Sequence, residues 1–310
     1  MIVDAYCHVG LPRFGSLQNA IAATRGSGIQ RSVLVLGPRV PDFETLFEAI
    51  GRYPDRIRGI GIPFGNNERQ QVEIAEIQLR AGVAGIRMSG TKLLEQSTVA
   101  ELVGQQGKWI YGVSLINNPA AAEYLLDWLE RHQASRVAAP HFLSTADKID
   151  APLANLIGHR RFHPILSRHG QNGSTSAYPH TDFTPWVKSV VNICGWKRIL
   201  FGSEYPIIFW RDETYVSCLD WIRHIQPDLS DEERDGFLGK TANQVLFTWT
   251  NPVREDVHIP DWVSEQFERD RTVPLWDGRE VSMETIEQWQ ARYVNGLQEK
   301  PESRFSEWED

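Results

Sequence analysis

The sequence predicts an α/β chain folded as a (β/α)8 TIM barrel with a C-terminal extension. Three observations predict it. Eight short apolar runs recur at intervals of roughly 25 to 35 residues, the size of one strand-plus-crossover step. Most of these runs are apolar almost throughout, as strands must be when helices cover one face and a core fills the other. Polar and charged residues gather at the C-terminal ends of the runs, where such a barrel carries its chemistry. An open doubly wound sheet is the alternative, but no Gly-x-Gly-x-x-Gly or phosphate loop follows the first run.

The first strand spans Ile2–Val9 and differs from the rest by alternating. Val3, Ala5, Cys7 and Val9 should share one side, and Asp4, Tyr6 and His8 the other. Tyr6 and His8 are thus expected side by side just before Gly10 breaks the strand. The strand begins one residue into the chain, so no targeting segment is expected ahead of it. The second strand is Arg31–Leu36, ending at Gly37-Pro38; the third is Ile57–Pro63; the fourth is Val83–Met88, ending at Ser89-Gly90. The fifth is Trp109–Ile116, the sixth Ser135–Phe142, the seventh Phe162–Arg168 and the eighth Arg198–Ser203.

Helical patterns lie between them. Leu17–Thr24 is the first. Asp42 can cap Phe43–Tyr53, and Asn67 can cap Glu68–Arg80. Ala120–His132 carries Ala121, Tyr124, Leu125 and Trp128 at helical spacing. Thr184 can cap Pro185–Cys194, with proline in its favoured first position. Thr214–Ile225 follows the last strand, and Ser230 with Glu233 forms a capping box within 227–248. The barrel domain is therefore drawn at residues 1–250. From Asn251 the chain becomes rich in charge, Trp and Pro and stops repeating. Residues 251–310 are read as an extension with one helix, Met283–Leu297, that packs on the barrel or on a second copy and so offers a route to a homo-oligomer.

Composition narrows the partners. The chain has 310 residues, 41% of them apolar, and a formal charge of −8. That charge disfavours nucleic acid and anionic membrane surfaces, and no apolar run is long enough to span a bilayer. Cys7, Cys194 and Cys218 are odd in number and widely spaced, which fits a reduced cytoplasmic compartment and no zinc knuckle. The partner left is a small molecule.

The strand ends supply Tyr6 and His8, Arg87, His141, Arg168, His169 and Glu204, with Arg13 on the first loop. In a barrel these meet in one pocket. The order of the motifs resembles the amidohydrolase-related (amidohydrolase 2) superfamily over residues 1–248. Asp4-Ala5-Tyr6-Cys7-His8 resembles its opening Asp-x-His-x-His, and Gly85-Ile86-Arg87 its strand-four segment. Pro140-His141-Phe142 resembles its strand-six Asp-His segment, and Phe201-Gly202-Ser203-Glu204-Tyr205-Pro206 its Phe-Gly-Ser-Asp-Trp-Pro. Lys240-Thr241-Ala242-Asn243-Gln244-Val245-Leu246-Phe247 resembles its terminal Asn-Ala-x-x-Leu-Phe helix. Ser167-Arg168-His169-Gly170 followed by Tyr178-Pro179-His180-Thr181-Asp182 is similar to the pyrone-dicarboxylate lactonase-like branch.

The resemblance implies a hydrolase for a small, carboxylated cyclic ester (lactone) or related carbonyl substrate. Glu204 would be the general base, and His141 would stabilise the oxyanion or protonate the leaving group. His8 would orient Glu204 or the carbonyl, and Tyr6 would donate to the carbonyl. Arg87, Arg168, His169 and Arg13 would grip carboxylates. Two departures bear on the metal. Tyr6 stands for the first histidine of the pair, and Glu204 for the aspartate. Tyr is a poor zinc ligand because its phenol ionises near pH ~10. No tightly bound metal is expected; in the alternative, a divalent zinc or manganese would take His8, His141 and Glu204. Two other readings stay open: a decarboxylase or related lyase on a small carboxylic acid, and a non-catalytic barrel that binds a small molecule.

Overall fold

The computed structural model describes residues 1–11, 13–146, 148–167, 174–210, 213–248, 254–269, 272–274 and 280–282. Eight parallel strands stand in sequence order, each paired with the next. They are β1 (Val3–His8), β2 (Arg31–Val35), β3 (Ile57–Gly61), β4 (Gly85–Ser89), β5 (Trp109–Val113), β6 (Arg136–Ala139), β7 (Phe162–Leu166) and β8 (Leu200–Phe201). The seam between the last strand and the first is joined just beyond β8. There the Glu204 amide donates to the Tyr6 carbonyl at 2.8 Å, and the His8 amide to the Tyr205 carbonyl at 2.7 Å. The sheet thus curls into the expected (β/α)8 barrel.

Helices cover the outside: α1 (Leu17–Gly26), α2 (Phe43–Arg52), α3 (Glu68–Arg80), α4 (Gly90–Glu95), α5 (Ser97–Gln105), α6 (Pro119–Arg131), α7 (Ala151–Gly158), α8 (Thr184–Cys194), α9 (Ile207–Trp210), α10 (Tyr215–Ile225), α11 (Asp231–Asp235) and α12 (Asp261–Arg269). Asp42 caps α2 and Asn67 caps α3 through their side chains. The Ser230 capping box is present on α11, and a second, Thr214 with Ser217, starts α10. Thr184 does not cap α8. It is the first residue of that helix, which follows a short 3₁₀ turn at Thr181–Phe183 and has no side-chain cap.

Alternation along the strands divides two cores. Val33, Val35, Ile60, Trp109, Tyr111, Ala138, Ile165 and Leu200 fill the barrel interior with Val3, Ala5 and Tyr6. Leu34, Leu36, Ile86, Ile110, Val137, Phe162 and Phe201 face the helices. Burying each large aliphatic side chain stabilises by about 1.5–3 kcal/mol. Ala242, Leu246 and Phe247 plug the end of the barrel where the strands begin. Arg31 and Arg58 lie 5.2 and 4.6 Å from the Phe247 ring centroid.

β1 departs from simple alternation. Its register against β2 shifts between Asp4 and Cys7. The extra residue of a bulge turns the following side chains to the other face. Ala5 and Tyr6 therefore both face the interior, whereas Cys7 and Val9 pack with the helices. Asp4 points outward and does not share the face of Tyr6 and His8. The bulge has its own support: Tyr111, stacked on Tyr6 at 6.4 Å, donates its hydroxyl to the Ala5 carbonyl at 3.3 Å.

Residues 254–269 cross the outside of the barrel. The Glu255 amide donates to the Arg80 carbonyl at 3.0 Å, and Arg80 Nε donates to Glu255 Oε2 at 2.6 Å. Trp262 stacks on Phe64 beyond β3 at 6.2 Å and 4°, and Val263 is buried. Trp249, Trp276, Trp289, Trp308 and the expected helix Met283–Leu297 lie outside the described residues.

Candidate active site

The C-terminal strand ends bring together Tyr6 and His8 from β1, Arg87 from β4, His141 after β6 and Glu204 after β8. His141 and Glu204 hold left-handed backbone, with φ of 58° and 62°, and so do Ser114 and Asn117 after β5, at 57° and 62°. Such conformations cost free energy in residues with a Cβ and gather at functional sites. A cleft of about 430 Å3 opens beside His141, lined by the ends of β5 and β6 with Ser114, Asn117 and Ser144.

Tyr6 is fully buried, and its hydroxyl sits at the centre of the group. Arg87 Nε donates to Tyr6 Oη at 3.1 Å, and Tyr6 Oη lies 3.3 Å from His141 Nε2. The same His141 Nε2 is 3.4 Å from Glu204 Oε1, whose side chain is wholly buried. Arg87, Tyr6, His141 and Glu204 thus form one chain of contacts. The Tyr6 ring is held by His8 and His141, edge-on at 4.8 and 5.0 Å. Room for it comes from Gly202, where a Cβ would stand 2.9 Å from Tyr6 Cβ and 2.7 Å from Ile165 Cγ2.

His8 is fixed by its other nitrogen. Its Nδ1 lies 2.9 Å from the Val35 carbonyl. A carbonyl only accepts, so Nδ1 carries the proton and Nε2 the lone pair. Burial holds the imidazole pKa down to about 3; Glu204 opposes that, and Arg87 and Arg13 reinforce it. His8 is therefore neutral at physiological pH. Phe14 stacks on it at 4.4 Å and 12°, and the Arg13 guanidinium lies 4.8 Å from the Phe14 centroid. Arg13 lies on a loop, where an arginine is usually solvated, yet it is only 3% exposed.

A supporting layer went unread in the sequence. Ser167 Oγ accepts from the His141 amide at 2.8 Å and lies 3.4 Å from its Nδ1. Asp4, turned outward by the bulge, binds the β1–β8 seam. Its carboxylate accepts from the Tyr6 amide at 3.1 Å, the Ser203 amide and hydroxyl, and the Tyr215 hydroxyl at 3.0 Å. Burial raises the Asp4 pKa to about 6 despite these donors. Asp4, Ser167 and Ser203 all lie inside the segments that resemble the family, which is the signal that could have found them. Arg168 and His169 lie outside the described residues. Among the described residues, no group of three or more His, Cys, Asp and Glu side chains is placed to hold a metal ion. Nor is any helix long and apolar enough to cross a membrane.

No protein-family model matches the chain, and no curated protein does. Solved structures do match. One is a probable 2-pyrone-4,6-dicarboxylic acid hydrolase from Acinetobacter baumannii with citric acid bound: 16% identity, 80% of this chain and 99% of that one, TM-score 0.60. A Burkholderia multivorans amidohydrolase with bound zinc matches at 14% identity over 79% and 98% of the two chains, TM-score 0.57. A Polaromonas dihydroxybenzoic acid decarboxylase with manganese and the inhibitor 2-nitroresorcinol matches at 13% over 78% and 96%, TM-score 0.55. At these identities the likeness is one of fold: the chain has the barrel found in amidohydrolase-type hydrolases and decarboxylases.

Proposed function

We propose that this barrel is a hydrolase for a small, carboxylated cyclic ester or a related carbonyl substrate, working without a tightly bound metal. The observation that carries the reading is the contact chain from Arg87 through Tyr6 and His141 to the buried Glu204. It brings a carboxylate, an imidazole, a phenol and a guanidinium together at one end of the barrel. These are the groups that ester hydrolysis needs for proton removal, proton return and oxyanion stabilisation.

In this reading Glu204 takes a proton from water as the water oxygen attacks the ester carbonyl. The carbonyl oxygen gains negative charge and is met by the Tyr6 hydroxyl and the Arg87 guanidinium. The C–O bond of the ring then breaks, and the departing oxygen receives a proton from His141 Nε2. Ser167 lies beside Nδ1 and can donate to it while Nε2 carries the proton. His8 is neutral and fixed, and serves as an acceptor wall beside Tyr6. Arg13, with Arg168 and His169, is proposed to hold substrate carboxylates at the mouth, bidentately where guanidinium geometry allows.

The donor set does not suit a divalent ion. His8 offers an Nε2 lone pair of the kind metals take, but its neighbour on the strand is a phenol already engaged by a guanidinium. No step here runs through a metal.

The test is product analysis with 2-pyrone-4,6-dicarboxylate, the compound named for the matched hydrolase. Ring opening to the free acid, undiminished by a chelator, is the expected result. Release of carbon dioxide from a hydroxybenzoic acid, with no ring opening of any carboxylated lactone, would move the site to the lyase reading.

A further inference from the structure

The chain carries a fixed positive charge of its own at the barrel mouth. Arg87 rises from β4, and its Nε donates to Tyr6 Oη at 3.1 Å. Through that oxygen it is linked to His141 Nε2 at 3.3 Å and on to Glu204 Oε1 at 3.4 Å. A guanidinium keeps its charge at every accessible pH, and with Nε used by Tyr6 its Nη donors are left for a ligand. A fixed guanidinium on the same chain of contacts as His141 and Glu204 repels a dication there, because the repulsion scales with the charge.

We infer that Arg87 is the resident cation of this site: its guanidinium, seated on Tyr6, polarises the substrate oxygen and keeps a divalent ion from His8, His141 and Glu204. This rests on the hydrolytic reading for the word substrate, but not for the exclusion of metal. Tyr6 and Arg87 act as a pair. The phenol oxygen is the acceptor that holds the guanidinium at the mouth, and a histidine at position 6 would leave the guanidinium without that anchor while adding a metal ligand.

The experiment is calorimetric zinc titration of four full-length proteins: the parent, Arg87→Lys, Arg87→Gln, and Tyr6→His with Arg87→Gln. The two proteins with Gln at position 87 should bind one zinc about tenfold or more tighter than the parent and Arg87→Lys, which keep a charge there. Arg87 is partly exposed, so the substitution is tolerable; Arg87→Met supplies a second neutral side chain if the Gln protein does not fold. Equal zinc affinities in the charged and neutral variants, including no binding by any of them, overturn the proposal. So does one equivalent of tightly held zinc in the parent. The readout needs no turnover, so a barrel that opens no lactone still answers it, and the two readings fail separately.

Discussion

At the scale of single residues, the candidate site was partly legible because it sits at strand ends. Tyr6, His8, Arg87, His141 and Glu204 are polar groups closing apolar runs, and such residues in a barrel converge. The residues that shape the site were not legible, because what they supply is space or a backbone partner. Gly37 leaves room for Phe14, whose ring a Cβ there would meet at 2.1 Å, and Phe14 in turn stacks on His8. Gly202 does the same for Tyr6. Gly202→Ala should therefore destabilise by about 1–3 kcal/mol, the usual cost of overpacking a filled core. It should also push Tyr6 from its place between Arg87 and His141. Chemical denaturation and a structure of the variant check both, and an unchanged midpoint with Tyr6 in place would contradict the tight fit.

At the scale of elements, strands covered by long capped helices were legible, and short ones were not. β2 to β4 fall within two residues of the expected runs at each end. β8 is two residues long, because the chain past Phe201 is given over to the seam and to Glu204 rather than to a ladder. The runs assigned to the fifth and sixth strands likewise overreach: Ser114, Leu115, Ile116, Pro140, His141 and Phe142 line the cleft beyond the ladder. Two helices between β4 and β5 were hidden by Ser89-Gly90, which resembles a turn. Ser89 is instead the N-cap of α4, accepting from the Lys92 amide, and Gly90 is small because the Asn118 side chain and the Ser114 carbonyl press against it. α7 carried a readable start, Asp150 as cap and Pro152 in the first turn. The bulge in β1 left no mark in the sequence. An alternation of small and apolar residues reads the same with one residue looped out, and only the fixed partners of Asp4 and Tyr6 reveal the shift.

At the scale of the whole molecule, burial has set several charges against their ordinary values. His163 lies inside β7, its Nδ1 3.1 Å from the Arg198 carbonyl, and burial lowers its pKa to about 4. The unfolded chain binds that proton more readily, so the stability contributed by the neutral ring is present above about pH 6.5 and lost as pH falls through 4. Asp4 runs the other way. Its raised pKa means its contribution is present below about pH 3.8 and lost as pH rises through 6. His163→Gln should remove about 2–3 kcal/mol of the stability difference between pH 7.5 and 4.5, because each tenfold difference in proton affinity between folded and unfolded chain is worth ~1.4 kcal/mol. Urea unfolding at the two pH values measures it, and an unaltered difference would place the acid sensitivity elsewhere. We further propose that residues 251–310 are an extension on a barrel of residues 1–250. Its described part is tied to that barrel at Arg80 and Phe64.

The central claim is that the buried carboxylate of Glu204 removes the proton from water in opening a carboxylated lactone. Glu204→Gln keeps the shape and the contact with His141 but cannot accept that proton. The measurement is the steady-state rate of ring opening of 2-pyrone-4,6-dicarboxylate by parent and variant in the presence of a chelator. A loss of about 10²–10⁴-fold is expected, the usual contribution of a general base. Turnover at the parent rate by the Gln variant, or a parent rate abolished by the chelator, would contradict it.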